Sequence, residues 1–367
     1  MRVLVLLTDA YGSSGGMAQF NREMLRALCS HSDVSEVVAV PRLGSTEAET
    51  LPAKLSYVTE GLNSKSKYFT TLLKVARTDP AFDLIMVGHL NLLPLIHVVR
   101  WHVRAPVLLI VHGLEAWLRR TSLFRLMVRQ LDAVVSVSRL TRDRFCAWSG
   151  FRVDRVFVLP NGVDLTHFRP GPKNPQLLQR YGLNGKTVLL TLGRLETSER
   201  LKGFDEILEI MPELSKQIPE ISYLIVGDGT DRGRLEQKAR SLGIADYVVF
   251  TGFVPETEKP DYFRLADAYV MPSRGEGFGI VFLEAMACGV PVMASKIDGS
   301  REAVCDGRLG IVVDPGNPGE IRSGILEALS RPRGIRPPGL EYYSETNFAQ
   351  RAHRIVDTML EVRKKNG

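Results

Sequence analysis

The chain has 367 residues, of which 44% are hydrophobic and 24% are charged. This length exceeds what one hydrophobic core usually organises, so we expect about two domains. The composition is ordinary for a well-packed protein and does not indicate disorder. No apolar run approaches the roughly 18 residues of a membrane-spanning helix. The apolar run in "MRVLVLLTDA" is too short for a signal-peptide core, and we interpret it as a first β-strand.

The excess positive charge is confined to the first half of the chain. The formal net charge is +6 overall; residues 1–165 hold 20 Lys and Arg against 14 Asp and Glu, whereas residues 166–367 hold 27 of each. A basic half indicates an anionic partner such as a lipid surface or a phosphorylated acceptor, with a solvated basic surface as the alternative. No nucleic-acid recognition motif accompanies this charge, so we expect no nucleic-acid partner.

Strand-like and helix-like segments alternate through the first half. The strand "RVLVLLT" is followed by "MAQFNREMLRALCS", in which the apolar residues recur at helical spacing. Further strands are predicted at "VVAVP", "DLIMVG", "PVLLIVH", "AVVSVS" and "VFVLP". This alternation predicts parallel βαβ units with helices on both faces of a sheet.

A stretch dense in Pro, Gly and Asn, "PNGVDLTHFRPGPKNPQLLQRYGLNGK", reads as a linker to a second series of the same kind. The second series contains "TVLLTLGR", "ISYLIVGDG", "YVVFTGFV", "AYVMPS", "VPVMAS" and "GIVVD". We therefore predict two Rossmann-like α/β/α domains facing each other across a cleft, over residues 1–165 and 166–346. A last helix within 347–367 is expected to join the first domain.

Three features of the first half are weak candidates for function when taken alone. Gly12, Gly15 and Gly16 lie in a glycine-rich turn between a strand and a helix, which allows close approach of a phosphate but equally a plain tight turn. His112 ends a strand, where α/β proteins present catalytic side chains, although a lone histidine is often structural. The segment "AWLRRTSLFRLMVRQL" predicts a basic amphipathic helix, which suits either an anionic membrane or a core with a solvated basic face.

Two cations in the second half lie near the predicted end of a strand. In "LGRLETSERLKG", Arg194 follows the strand and Lys202 precedes the next helix. Two such groups at one edge of a sheet can neutralise a diphosphate, and arginine can bind it through two parallel hydrogen bonds. Taken alone, cations in a polar loop are more often solvated.

The segment "SRGEGFGIVFLEAMACGVPV" places Glu276 in a glycine-rich loop and Glu284 within an apolar helix predicted over about 280–287. A loop at a helix start offers free backbone N–H groups to an anion. A carboxylate offers two acceptor oxygens to vicinal hydroxyls. The pattern therefore predicts that Glu284 binds ribose hydroxyls and that Glu276 binds those of a transferred sugar, against the alternative of surface glutamates.

Taken together, these motifs resemble the family 4 retaining glycosyltransferases, which have the GT-B fold. The resemblance covers nearly the entire chain through "VHG", "LPNGVDLTHFRP", "GRLETSERLKG", "LIVGDG", "VVFTGFV" and the E-x7-E element from Glu276 to Glu284. It implies two Rossmann-like lobes and a nucleotide-sugar donor bound mainly by the second.

The resemblance also implies roles for individual residues. The implied catalytic residues are His112, Arg194, Lys202 and Glu276. The implied donor-binding residues are Gly15, Gly16, Arg194, Lys202, Val254, Glu276, Phe278, Gly279, Ile280 and Glu284. Val254 lies where the family holds the base, and Gly16 where a glycine faces the donor phosphates. Gly299–Ser300 departs from the commoner Gly-Gly form.

The expected reaction is transfer of a sugar from a nucleoside diphosphate sugar to an acceptor hydroxyl, with retention at the anomeric carbon. The diphosphate sugar is a co-substrate, and no metal or other cofactor is expected, because protein cations replace it in such families. The acceptor stays open, with lipid-linked or anionic acceptors and contact with a membrane surface as expectations. The scattered cysteines predict a cytoplasmic protein, on the membrane face if it docks there. A nucleotide-sugar epimerase, a sugar phosphorylase and a non-catalytic binding protein remain alternatives.

Overall fold

The computed structural model describes residues 1–45, 50–78 and 81–366 and divides the chain into two compact units. The first unit is Met1–Gly162 with Glu345–Gly367, and the second is Val163–Ser344. The sequence had placed the boundaries at 165 and 346.

The first unit is built on a parallel sheet whose strands are buried, apolar and rich in Val, Leu and Ile. Because both faces of such a sheet are covered by helices, its strands are runs of apolar residues rather than alternating ones. The strands are β1 Arg2–Leu7, β2 Glu36–Pro41, β3 Leu55–Tyr57, β4 Leu84–Val87, β5 Val107–Val111, β6 Ala133–Ser136 and β7 Val156–Val158. Their order across the sheet is β3-β2-β1-β4-β5-β6-β7.

The helices of the first unit connect these strands and cover the sheet. They are α1 Gly16–Ser30, α2 Lys65–Thr78, α3 Ile96–Val99, α4 Leu114–Trp117, α5 Ser122–Arg129 and α6 Arg139–Ser149. The segment predicted as one basic amphipathic helix is therefore two helices. Thr121 interrupts it, because its side chain caps α5 by accepting a hydrogen bond from the Phe124 N–H at 3.5 Å.

The second unit repeats the architecture with a six-stranded parallel sheet. Its strands are β8 Thr187–Leu192, β9 Ile221–Val226, β10 Val248–Phe250, β11 Ala268–Val270, β12 Val292–Ser295 and β13 Ile311–Val313, in the order β10-β9-β8-β11-β12-β13. Strand β8 pairs with β9 and β11, so the carboxyl ends of these three strands lie side by side at one edge. The loops that carry the predicted donor residues leave from this edge.

The helices of the second unit are α7 Pro175–Arg180, α8 Phe204–Gln217, α9 Arg232–Ser241, α10 Lys259–Leu265, α11 Ile280–Ala287, α12 Ser300–Ala303 and α13 Pro318–Ser330. Helix α11 has the predicted bounds. Helix α7 lies within the stretch interpreted as a linker. Its start carries an ordinary signal, because the Asn174 side chain accepts the Gln176 N–H at 3.0 Å and Pro175 occupies the first helical position.

The last helix, α14 Glu345–Asn366, packs on the first unit as the resemblance implied. Phe348 meets Phe20 of α1 edge to face, with ring centroids 5.5 Å apart. Glu345 forms an ion pair with Arg26 of α1 at 3.3 Å. None of the helices in the described ranges combines the length and the apolar character needed to span a bilayer.

Candidate functional site

The loop that follows β11 leads into the start of α11. Gly279 caps the helix with φ 86°, a left-handed conformation that favours glycine, and a Cβ there would lie 2.8 Å from Cδ2 of Phe282. Phe278 and Ile280 flank it and are both buried. The first-turn N–H groups of α11 are therefore presented next to this loop, an arrangement that favours an anion.

Glu284 lies one turn inside α11 and is buried, with 3% of its surface exposed. Its Oε2 accepts no hydrogen bond from any described residue. Burial raises the pKa of Glu284 above its usual range, and the charge of Lys259 opposes that rise. A buried carboxylate oxygen without a donor is costly, so this group is poised to accept hydrogen bonds from a ligand.

Lys259 is the nearest cation to Glu284 and was missed by the sequence analysis. Its Nζ lies 4.0 Å from Oε2 of Glu284 and 2.7 Å from Oε2 of Glu256, and its side chain is 12% exposed. Val254 is buried on the segment that leads to this pair. The only signal in the sequence was a lysine before Pro260 at a helix start, which is common on protein surfaces.

Lys202 and Glu276, predicted separately as a phosphate ligand and a sugar ligand, form an ion pair with each other. The Lys202 Nζ donates to Oε1 of Glu276, and both side chains are mostly buried. This pair brings together two loops that are 74 positions apart in sequence. The structure therefore brings both residues to one place and shows them neutralising each other.

The carboxyl end of β8 positions Lys202 beside Arg194. A Cβ on Gly193 would lie 2.8 Å from Cδ of Lys202, so the absence of a side chain allows the lysine to lie across the strand end. Arg194 is the next residue along the chain, and it is exposed. An exposed guanidinium and an anchored ammonium thus lie near the same strand end.

Asp298 anchors the loop that carries Glu276. Its Oδ2 accepts hydrogen bonds from the Ser273 hydroxyl at 2.7 Å and from the Glu276 N–H at 2.9 Å. Its Oδ1 accepts from the Ser300 N–H at 3.0 Å and hydroxyl at 2.6 Å. Burial raises the pKa of Asp298 to about 6 despite these donors. The sequence analysis missed this residue, because a lone Asp in "KIDGS" resembles an ordinary turn.

The candidates of the first unit lie at the carboxyl edge of its own sheet. Gly15 has φ 102° and precedes Gly16, the first residue of α1, and both are exposed. The His112 Nε2 lies 2.9 Å from the Gly88 carbonyl oxygen, which requires the proton on Nε2. The His112 ring also meets the edge of Phe20, at 5.2 Å between centroids. Helix α1 and His112 are therefore neighbours at this edge.

Two neighbours of His112 were not singled out from the sequence. Glu115 accepts the His112 backbone N–H at 2.6 Å and that of Gly113 at 3.2 Å through Oε1. His89 follows β4 and is buried, and desolvation lowers its pKa to about 4, so it is neutral at pH 7. These contacts fix the backbone around His112.

Two other features of the described residues do not contain the predicted site residues. His31, Asp33 and Asp357 bring one ligand atom each within 4.8 Å. Hydrogen bonds account for both His31 ring nitrogens, since Nδ1 accepts the Asp33 N–H at 3.1 Å and Nε2 lies 3.1 Å from Asp357 Oδ1. An open groove of about 670 Å³ in the second unit is lined by Leu165, Thr166, Arg169, Pro170, Gly334, Ile335 and Arg336.

Two family models match the chain in succession. The model described as "Glycosyltransferase Family 4" matches residues 14–167, and the model described as "Glycosyl transferases group 1" matches residues 174–345. The two matches fall on the two units and between them contain every predicted site residue.

Curated relatives match over part of their length. The chain is 36% identical over 241 residues to a GDP-mannose-dependent alpha-(1-6)-phosphatidylinositol monomannoside mannosyltransferase of Mycolicibacterium smegmatis, covering 62% of each chain. It is 36% identical over 216 residues to a D-inositol 3-phosphate glycosyltransferase 2 of Catenulispora acidiphila, covering 55% of this chain and 50% of the relative. The chain thus spans about three fifths or less of the length of these relatives.

Solved structures share the fold over nearly the whole chain. The Anabaena protein Alr3699/HepE in complex with UDP has a TM-score of 0.76 at 20% identity, covering 98% of this chain and all of that one. The sucrose-phosphate synthase of Thermosynechococcus elongatus has a TM-score of 0.71 at 20% identity, covering 100% and 98%. Two parallel-sheet units, two family models in succession and these neighbours identify the fold as GT-B, and the chain belongs to the family 4 glycosyltransferases.

Proposed function

We propose that this chain transfers a sugar from a nucleoside diphosphate sugar to an acceptor hydroxyl, with retention at the anomeric carbon. The observation that carries the proposal is the buried Glu284 carboxylate, whose Oε2 accepts no hydrogen bond from the described residues, one turn inside a helix that begins at an anion-favouring loop. A carboxylate can accept from two vicinal hydroxyls, and ribose supplies them.

The diphosphate is proposed to lie at the start of α11, next to Lys202 and Arg194. In the transition state the bond from the anomeric carbon to the phosphate oxygen breaks, and negative charge grows on the leaving diphosphate. The N–H groups of α11 and the two cations stabilise that charge where it develops. These protein cations are the basis for proposing that the reaction proceeds without a metal.

Glu276 is proposed to position the transferred sugar. Asp298 fixes its backbone and Lys202 fixes its carboxylate, so the side chain is held before the donor arrives. Lys202 then faces both Glu276 and the diphosphate. This arrangement neutralises part of the Glu276 charge and keeps that carboxylate a hydrogen-bond acceptor for sugar hydroxyls.

Retention is proposed to follow from attack on the face that the diphosphate leaves. The acceptor oxygen bonds to the anomeric carbon while the diphosphate departs, and a diphosphate oxygen takes the acceptor proton. This step needs no covalent intermediate with the enzyme and no separate general base. The roles that the family resemblance gives to Gly15, Gly16 and His112 stay predictions.

The names of the relatives indicate where to look for donor and acceptor. The mannosyltransferase relative is GDP-mannose-dependent and acts on a phosphatidylinositol mannoside. We accordingly propose GDP-mannose as the first donor to test and a lipid-linked or phosphorylated acceptor, in line with the basic first half. A cytoplasmic protein that works on the face of the membrane is the matching location.

A thermal-shift panel of GDP, UDP and ADP, each free and as its sugar, tests donor binding directly. A ligand of the native state raises the unfolding temperature, and Glu284→Gln is expected to reduce that rise. Glu327→Gln is the matched control, because Glu327 lies on α13 of the same unit and its exposed carboxylate pairs with Arg331 one turn further along the chain. No shift with any nucleotide would contradict the proposal.

Release of the nucleoside diphosphate then separates transfer from its alternatives. A transferase releases it in step with added acceptor. Release without acceptor indicates hydrolysis or epimerisation, release of a sugar phosphate indicates a phosphorylase, and binding without any release indicates a non-catalytic protein. Each of these three outcomes would overturn the proposed reaction.

A further inference from the structure

Four exposed leucines follow β5 within one short segment of the first unit. Leu114, Leu118, Leu123 and Leu126 have 37%, 70%, 61% and 55% of their surface exposed. Scattered single apolar residues are normal on a surface, but four in thirteen successive positions are a cluster that calls for a partner. We call Leu114–Arg129 the leucine patch.

The geometry of α5 explains why these side chains face outward. Val128 is buried in the core of the unit, and Phe124 and Met127 pack partly against that core. Leu123 and Leu126 are three residues apart and so lie on the same, opposite face of the helix. One face of α5 therefore packs against the core, and the second apolar face has no role in the fold of the described residues.

The charges of the leucine patch are all positive from Ala116 to Leu131. Four arginines and no Asp or Glu occur in this interval, and Arg119 and Arg129 are exposed. The two acids that flank this interval are engaged elsewhere: Glu115 accepts two backbone N–H groups of its own loop, and Asp132 accepts the Val107 N–H and pairs with Arg100. The exposed surface thus combines apolar side chains with uncompensated positive charge.

We propose that the leucine patch docks on the surface of an anionic lipid bilayer, with its leucines entering the interface and its arginines meeting lipid phosphates. Charge complementarity selects this partner, because leucines flanked by arginines on a short helix suit an interface that is apolar inside and anionic at its surface. The patch and His112 both follow β5, so docking brings this edge of the sheet to the membrane. The idea that this docking serves a lipid-linked acceptor rests on the proposed function. The docking itself does not rest on it.

A second exposed apolar residue of the same unit provides a matched control. Trp101 is 82% exposed and lies in the loop that precedes β5, at the amino end of the strand rather than at its carboxyl end. The Arg100 guanidinium donates to the Gln130 carbonyl at 3.1 Å nearby. A general effect of apolar surface would involve Trp101, whereas the proposal leaves it out.

Co-sedimentation of the full chain with vesicles tests the proposal. Vesicles of phosphatidylcholine are compared with vesicles in which about one third is phosphatidylglycerol, at low and at high salt. We expect binding to the anionic vesicles. Leu123→Gln with Leu126→Gln should weaken it at least about tenfold at both salt concentrations. Arg119→Gln with Arg129→Gln should weaken it about fivefold per arginine at low salt and little at high salt.

Two outcomes overturn the proposal. One is no sedimentation of the unsubstituted chain with anionic vesicles at low salt. The other is binding that Trp101→Gln abolishes and the leucine variant retains. The unfolding temperature of each variant shows that it is folded, and its shift with nucleoside diphosphate shows whether the second unit still works. A chain that docks but binds no nucleotide would refute the proposed function alone.

Discussion

The two units have the same architecture but differ in how they use charge. In the second unit the charged groups meet one another at the carboxyl edge of the sheet, as in the Lys202–Glu276 pair and the Lys259–Glu256 pair, and the chain holds them in place. In the first unit Arg119 and Arg129, which follow β5, are exposed in the same segment as the exposed leucines. The second unit is organised for a small anionic ligand, and the first for an extended surface.

The largest expected effect is a loss of catalytic rate, and it concerns the proposed ligand site of the second unit. Lys202→Ala removes the anchored cation at the carboxyl end of β8. We expect kcat/KM to fall by about two orders of magnitude. Arg194→Ala should act in the same direction. The control is Lys216→Ala, which removes an exposed lysine from the last turn of α8. Near-normal turnover in both Lys202→Ala and Arg194→Ala would refute their assignment.

The next effect concerns ligand affinity rather than rate. Glu284→Gln keeps the size of the side chain but removes the charge and one acceptor oxygen. We expect the dissociation constant for nucleoside diphosphate to rise at least about tenfold, on the scale of hydrogen bonds to a charged group. Because burial raises the pKa of Glu284, affinity should also weaken as the pH falls and the carboxyl protonates. Calorimetric titration from pH 8 to pH 5 measures both.

Asp298 separates positioning from binding. Asp298→Ala leaves the Glu276 N–H and two serines without their acceptor, so we expect kcat to fall about tenfold through a loosened Glu276. Affinity for free nucleoside diphosphate should hardly change, because Glu276 is assigned to the sugar. Asp298→Asn keeps one acceptor oxygen and should recover part of the rate. Equal losses of rate and nucleotide affinity would show that Asp298 acts only through stability.

The last prediction lies in the first unit and concerns stability, with no expected effect on catalysis or ligand binding. Glu23 is buried in α1, accepts the Gly162 N–H at 2.9 Å, and has its pKa raised from 4.5 to about 7, mainly by burial. The folded state therefore holds a proton that the unfolded chain has released, and stability falls as the pH rises from about 4.5 to about 7. We expect the free energy of unfolding of Glu23→Gln to increase relative to that of the unsubstituted chain over this pH range, by up to roughly 3 kcal/mol.

Unfolding temperatures of the two proteins, measured at pH 5 and pH 8, check this expectation. The difference should grow with pH and should be absent for Glu36→Gln, since Glu36 is a partly exposed partner of Arg2. A difference that is the same at both pH values would mean that Glu23 stays ionised when folded.

The sequence predicted most of the fold because parallel buried strands leave a plain signal. Twelve of the thirteen strands in the described ranges coincide with apolar runs recognised beforehand. The exception, β3 Leu55–Tyr57, has three residues with an exposed Ser56 at the sheet edge, where burial imposes no apolar pattern. Helix α7 was hidden for a related reason, since its start at Asn174–Pro175 lies among prolines and glycines that indicate a loop.

The candidate site was only partly visible in the sequence. Glycine spacing and a glutamate within an apolar helix reveal Glu276 and Glu284, because these patterns are local. Lys259 and Asp298 reach the site by tertiary packing from residues that look ordinary in sequence, and no local pattern reveals such contacts. The sequence likewise did not decide which face of α5 is exposed, because periodicity shows two faces of a helix but not which of them the core covers.

One titration tests the central claim most directly: the affinity of the unsubstituted chain and of Glu284→Gln for a nucleoside diphosphate and for its 2′,3′-dideoxy analogue. The account predicts that removing the hydroxyls weakens binding to the unsubstituted chain at least about tenfold and leaves binding to Glu284→Gln almost unchanged, because both changes delete the same contact. Equal affinity of the unsubstituted chain for the two ligands would contradict the assignment of Glu284, and with it the proposed orientation of the donor.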